Sequence, residues 1–166
     1  MTKTEKRNRR FGGMSPAEQR VAIARDALSW LKARALIAQK GFYTKRLEAP
    51  TGPLKSNVQL REQTLGRCQV CGIGALFLAK AVRFNDVTGW DYLMGNPRDK
   101  LKRHFSLDQL DMIEVAFEQD VYSWIRAKDA TALNKAKTFA PREGDPGARL
   151  TAILKNIIAN NGTFVP

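Results

Sequence analysis

Apolar residues recur along much of this chain at intervals of three and four, the spacing of one helical face. The first such run has a clear start. Ser15 can cap free backbone amides, Pro16 suits a first turn where its missing N–H costs nothing, and Glu18 completes a capping box. Val21, Ala24, Leu28, Leu31 and Ala35 then keep helical spacing, which predicts a helix to about Gln39, stopped by Gly41. Arg20, Arg25, Lys32 and Arg34 fall on its other faces. Gly41 to Ser56 breaks the rhythm. Phe42-Tyr43-Thr44-Lys45-Arg46-Leu47 has the β-propensity of a short strand, closed by Pro50, Gly52 and Pro53.

The middle of the chain is different in kind. In GRCQVCGIGALFLAKAV the small residues Gly72, Gly74, Ala75, Ala79 and Ala81 alternate with Ile73, Leu76, Phe77, Leu78 and Val82. Lys80 is the sole charge among them. A helix apolar on nearly every side is a buried central helix, and its small positions let neighbours approach closely.

Three further helices follow from their start signals. Asn96-Pro97 opens a small basic one over Arg98-Asp99-Lys100-Leu101-Lys102-Arg103-His104-Phe105. Ser106 with Gln109 forms a capping box before Leu110, Ile113, Phe117, Val121 and Trp124 on one face. Glu114, Glu118 and Asp120 fall opposite, so this reads as an amphipathic surface helix. Asp145 and Pro146 open the last one, whose stripe of Leu150, Ile153, Leu154, Ile157 and Ile158 ends at Asn160-Asn161-Gly162. Between these two, Ala127 to Ala140 holds Lys128, Lys135 and Lys137 in a short helix and loop. No internal repeat or domain boundary interrupts the pattern. The expected fold is mainly α: a single-domain helical bundle over residues 15–166 around a buried central helix, with room for one small β-hairpin.

Charge changes the picture. The 166 residues carry 28 Lys and Arg against 16 Asp and Glu, a formal +12, which favours polyanionic partners through attraction and counterion release. Residues 1–14 read as a flexible basic tail ending near Gly12-Gly13. The cations expected to make contact are Lys6, Arg7, Arg9 and Arg10 in that tail, and Arg98, Lys100, Lys102 and Arg103 in the basic helix. Lys45 and Arg46 join them, since the aromatic pair beside them could stack on a base while they hold phosphate. No apolar segment follows the basic N-terminus and the longest apolar run is too short for a bilayer, which points to the cytoplasm and away from membranes.

Candidate chemistry is sparse. Cys68 and Cys71 are the only cysteines, and C-x-x-C supplies two of the four ligands that structural zinc needs, with His104 the one other soft ligand. A redox thiol pair would sit after a strand in a βαβ unit, whereas the segment before Cys68 is polar and helix-like. Buried cysteines at the entrance of a core helix explain more of the surrounding residues. His104 among four cations is a poor general base, and no serine lies in a nucleophile elbow. No enzyme, cofactor or metal is therefore expected. A thiol- or metal-dependent activity at Cys68 and Cys71, and capture of a small anionic nucleotide, stay open as alternatives.

Arg20-Val21-Ala22-Ile23-Ala24-Arg25-Asp26, the core segment Cys68-Gln69-Val70-Cys71-Gly72-Ile73-Gly74-Ala75, and Asn156-Ile157-Ile158-Ala159-Asn160-Asn161-Gly162-Thr163-Phe164 occur in that order. In this combination the chain resembles a group of small bacteriophage and prophage accessory proteins with a C-x-V-C-x-x-G-A core. The resemblance implies a non-enzymatic protein in the host cytoplasm that binds host machinery, including defence complexes that hold nucleic acid. It carries over no catalytic residues. The alternative partner is DNA or RNA itself, bound without sequence preference.

Overall fold

The Ser15 hydroxyl accepts from the Glu18 backbone N–H, and the Glu18 carboxylate accepts from Ser15 N–H at 2.7 Å. This full capping box opens α1 (Pro16–Lys32) in the computed structural model of the chain. The described residues are 13–41, 43–46, 68–84, 96–120, 125, 129–139 and 145–166. Residues 1–12 of the basic tail, Phe42, Val121 and Trp124 lie outside them.

α1 stops at Lys32, a full turn and more before the expected Gln39. Arg34 takes a left-handed φ of 56°, its N–H donates to Leu31 O, and Ala35 N–H donates to Trp30 O. Those two bonds are a Schellman motif with arginine where glycine is usual, so the sequence carries no visible stop. The apolar residues beyond it form β1 (Leu36–Ala38), which buries Leu36 in the core.

β1 pairs in parallel with β3 (Cys68–Val70), and β2 (Thr44–Arg46) pairs with β3 from the other side, antiparallel. The order β1-β3-β2 makes a small mixed sheet rather than a hairpin. Register gives it two faces. Cys68 and Val70 are buried, so Gln69 and its cross-strand neighbours Ile37 and Lys45 form the outward row.

Cys71 leads from β3 into α2 (Gly72–Phe84), which is buried at every position from Gly72 to Val82. α1, α3 (Pro97–Leu101) and α4 (Leu107–Glu118) surround it, α5 (Ala130–Thr138) lies on α4, and α6 (Pro146–Ala159) packs on α1 and α4. The expected central helix is present. No helix among the described residues is long and apolar enough to cross a membrane.

The two glycines of Gly72-Ile73-Gly74 have separate packing roles. A Cβ on Gly72 would meet Ile113 and Phe117 of α4 at 3.4 Å, an ordinary contact. One on Gly74 would lie 1.5 Å from the Tyr43 carbonyl oxygen, which also accepts from Cys71 N–H. Backbone meets backbone at Gly74, and no side chain fits.

α4 starts at Ser106, whose hydroxyl accepts from Gln109 N–H, but the box is only half formed. Gln109 instead clamps the backbone of Phe164, donating to its carbonyl and accepting from its N–H at 2.6 Å. Gly162, at φ +84°, lies against the Ala17 carbonyl and accepts from Arg20 Nε at 2.8 Å. These contacts seal the C-terminal residues over α1 and α4.

Gly74→Ala is expected to destabilise by about 3 kcal/mol or more, at the upper end of overpacking, because two backbones must separate. Gly13→Ala, with open space around it, is expected to stay within about 0.5 kcal/mol. Urea denaturation of the two variants measures the contrast.

Candidate functional site

The sequence predicts an acidic, solvent-facing side at Glu114, Glu118 and Asp120; the structure leaves Asp120 exposed just past the end of α4 and buries the two glutamates, with Asp111 beside them. Asp111, Glu114 and Glu118 are 1%, 4% and 8% exposed, and their spacing of three and four stacks them on one helical stripe. Buried carboxylates persist only when paired and hydrogen-bonded, so each has a partner. Arg98 of α3 donates through Nη2 to Asp111 and through Nη1 to Glu114. The Tyr43 hydroxyl donates to Glu114 at 3.3 Å, and Gly41 N–H donates to Glu118 at 3.1 Å. Lys40 Nζ donates to the Glu118 carbonyl, while Arg149 of α6 donates to the Phe117 carbonyl, its charge close to Glu118.

This seam corrects the expectation for Arg98. It is 8% exposed and tied to two carboxylates, not a free surface cation. Burial alone would lower its pKa, but its hydrogen bonds to Asp111 and the charges of Asp111 and Glu114 outweigh that and raise it. Burial, with the Glu114 charge behind it, holds the Tyr43 phenol well above its ordinary range, so it stays a donor. Burial likewise raises Glu118 and lowers Arg149 and Lys40.

The seam reaches the surface at a cleft of about 530 Å³. Arg98 and Asp111 are its buried members, Tyr43 is half-buried, and Asn96, Asp99, Lys102 and Leu107 face solvent. Two regions flagged separately in the sequence, the Tyr43-Lys45 segment and the basic helix, therefore meet at one place. Lys102 and Arg103 are exposed, Lys100 is half-buried, and Lys45 stands exposed in the outer row of the sheet. Arg46 pairs with Cys68 in β2, its side chain outside the described part. Lys6, Arg7, Arg9 and Arg10 lie outside the described residues altogether. The missed residues are Asp111 and Glu114, and with them the link from Tyr43 to Arg98. Their trace in the sequence is that Asp111 and Glu114 each adjoin a core residue, Leu110 and Ile113.

The cysteines sit where β3 passes into α2. The strand that precedes the helix begins at Cys68 itself; the segment before Cys68, expected to be polar and helix-like, lies outside the described residues. Yet both thiols are buried and not joined in a disulfide, and burial pushes the Cys71 thiol up to about 12 against the pull of the Gly74 and Ile73 amides. A thiol so placed carries no thiolate at neutral pH. Among the described residues no group of three or more His, Cys, Asp or Glu is arranged to hold a metal ion.

His104 stacks on Phe84 with ring centroids 5.0 Å apart, and its buried Nδ1 meets no hydrogen-bond partner among the described residues. Burial, then the charges of Lys80, Arg103 and Arg20, hold its pKa below the ordinary 6.5. Comparison with known protein families, curated proteins and solved structures finds no match for this chain.

Arg98→Met leaves two buried carboxylates facing each other and is expected to cost about 3–5 kcal/mol in urea denaturation. Arg98→Lys does not restore it, because one ammonium cannot span two carboxylates as a guanidinium fork does. Adding Asp111→Asn and Glu114→Gln to Arg98→Met recovers part of the loss.

For His104 the unfolded chain binds a proton at higher pH than the folded one. Stability is therefore full above pH 6.5 and falls as pH drops from there through the lower folded pKa. Thermal unfolding across that window is expected to show the decline, and His104→Gln to flatten it.

Proposed function

We propose that this protein is a non-enzymatic accessory protein of a bacteriophage that engages a host nucleic-acid-handling or defence assembly through its cationic surface. One observation supports this most. The buried charges among the described residues are three cations, Lys80, Arg98 and Arg149, and three acids, Asp111, Glu114 and Glu118. The core is charge-balanced, so the whole +12 excess falls on the remaining residues, where it attracts polyanions. Lys102, Arg103 and Lys45 are exposed members of that excess. Lys102 forms a solvent-exposed pair with Asp99 at 2.5 Å, a contact worth little and open to competition from phosphate.

A second reading, direct binding to single-stranded nucleic acid with no protein target, is favoured by the half-buried Tyr43 beside Lys102 at the cleft. Both readings share the cationic contact and differ in what else is held. Pull-down from bacterial lysate with and without nuclease separates them: a defined protein complex that survives nuclease supports the first, and heterogeneous nucleic acid alone supports the second.

Lys102→Glu with Arg103→Glu tests the shared contact. Binding to the captured assembly, or to oligonucleotide, is expected to weaken, and the slope of log K against log salt to fall by about one for each phosphate that is no longer neutralised. Unchanged affinity and slope would remove these residues from the interface.

A further inference from the structure

We propose that duplex DNA docks by its phosphate backbone on the exposed face of α1 that carries Arg25 and Lys32, with Arg34 just beyond it. The inference rests on the reading that the cationic surface meets a polyanion, and it names the face and the partner.

Charge is unevenly spread over the exposed residues. Between Gln19 and Arg46 the described residues expose the cations Arg25, Lys32, Arg34 and Lys45 and no acid: Asp26, the only one in that stretch, is held by two hydrogen bonds from Arg83. From α3 onward, among the described residues, the exposed Lys102, Arg103, Lys135 and Lys155 stand against Asp99, Asp108, Asp120, Asp129 and Asp145, all exposed as well. Of the two, the α1 side draws a polyanion more strongly. Arg25, Lys32 and Arg34 have no hydrogen-bond or ion-pair partner among the described residues, whereas Lys102 is paired with Asp99.

Arg34 gives independent support. It takes a left-handed φ of 56° at the turn that closes α1, where glycine fits without strain and a side chain is disfavoured. Its exposed guanidinium meets no partner that would offset this, and a phosphate supplies one.

Geometry then selects the partner. Arg25, Ser29 and Lys32, spaced by four and three residues, share one face, and two turns separate Arg25 from Lys32, about 10.5 Å along the axis. That is close to the roughly 12 Å width of the B-DNA major groove, so the two cations can hold phosphates on its opposite sides with the exposed Ser29 hydroxyl between them. The major groove of an RNA duplex is too narrow for this. A single strand would be held by stacking its bases on aromatic rings, and Trp30, the one aromatic residue of α1, packs on the core instead.

The test is fluorescence anisotropy with a labelled DNA duplex of about 21 base pairs, two helical turns, titrated over a range of salt. Two variants remove the same charge from different places: Lys32→Gln with Arg34→Gly, and Lys135→Gln with Lys155→Gln. Arg34→Gly keeps the fold because glycine suits that φ, and circular dichroism checks it. The first pair is expected to lower the slope of log K against log salt by about 1.8, or about 0.9 for each phosphate no longer neutralised, and the second to leave it nearly unchanged. Equal effects of the two pairs would overturn the assignment to α1 and leave the polyanion reading standing. A single strand or an RNA duplex of the same length bound more tightly than the DNA duplex would overturn the choice of partner, and with it the proposal. No binding of any nucleic acid, together with capture of a defined protein assembly from lysate, would overturn the proposal alone; no binding and no capture would overturn both.

Discussion

The contact between the Tyr43 carbonyl and the open face of Gly74 is the constraint on which the arrangement around the cleft depends. It pins the chain before β2 to the first turn of the central helix, and the Cys71 N–H bond to the same carbonyl fixes the approach. With that backbone in place, the Tyr43 side chain reaches Glu114 of α4. Glu114 in turn shares Arg98 with Asp111, and Arg98 holds the five-residue α3 against α4. A helix that short has little stability of its own, so its position is set by this anchor, by its Asn96 cap and by packing on α2 that buries Leu101 in the core. The cleft is thus a product of packing that begins at a missing side chain in the core.

The charged seam and the basic surface are two parts of one electrostatic arrangement. Burying ions is costly, and replacing such pairs by apolar groups is often neutral or better for stability. What the seam adds is definition: a guanidinium with two carboxylates admits few geometries, whereas apolar contacts between α3 and α4 would admit many. Acids placed inside are also acids removed from the surface, where they would have screened neighbouring lysines from a polyanion. Among the described residues the interior ions match one another in number, so the +12 excess lies on the rest of the chain.

Much of the helical frame was legible because caps are local. Ser15, Asn96, Ser106, Asp145 and the all-apolar stretch after Cys71 each announce an element through their own chemistry and immediate neighbours. What was hidden depended on distant partners. Arg34 closes α1 in a left-handed conformation that nothing in its side chain advertises, and Leu36–Ala38 becomes a strand only because Cys68–Val70 lies beside it. Glu114 looked solvent-facing because carboxylates usually are, and its bonds to Arg98 and Tyr43, like that of Asp111 to Arg98, help make the burial tolerable. The same tertiary fact moved Arg98 from the surface to the interior. Lys102 and Arg103, which need only to be exposed, were read correctly as solvent-facing cations.

The packing of α1 against α6, sealed by Arg20 on Gly162, also orders events in time. During synthesis the first helix emerges long before its principal partner, and until α6 is made its apolar stripe has only α2 and neighbouring segments to cover it. Native structure in this chain is therefore completed late, after α6 has left the ribosome, as expected of a topology rich in long-range contacts. A ribosome that stops short of residue 146 releases an open core with exposed apolar surface, a form that chaperones and proteases distinguish from the finished protein.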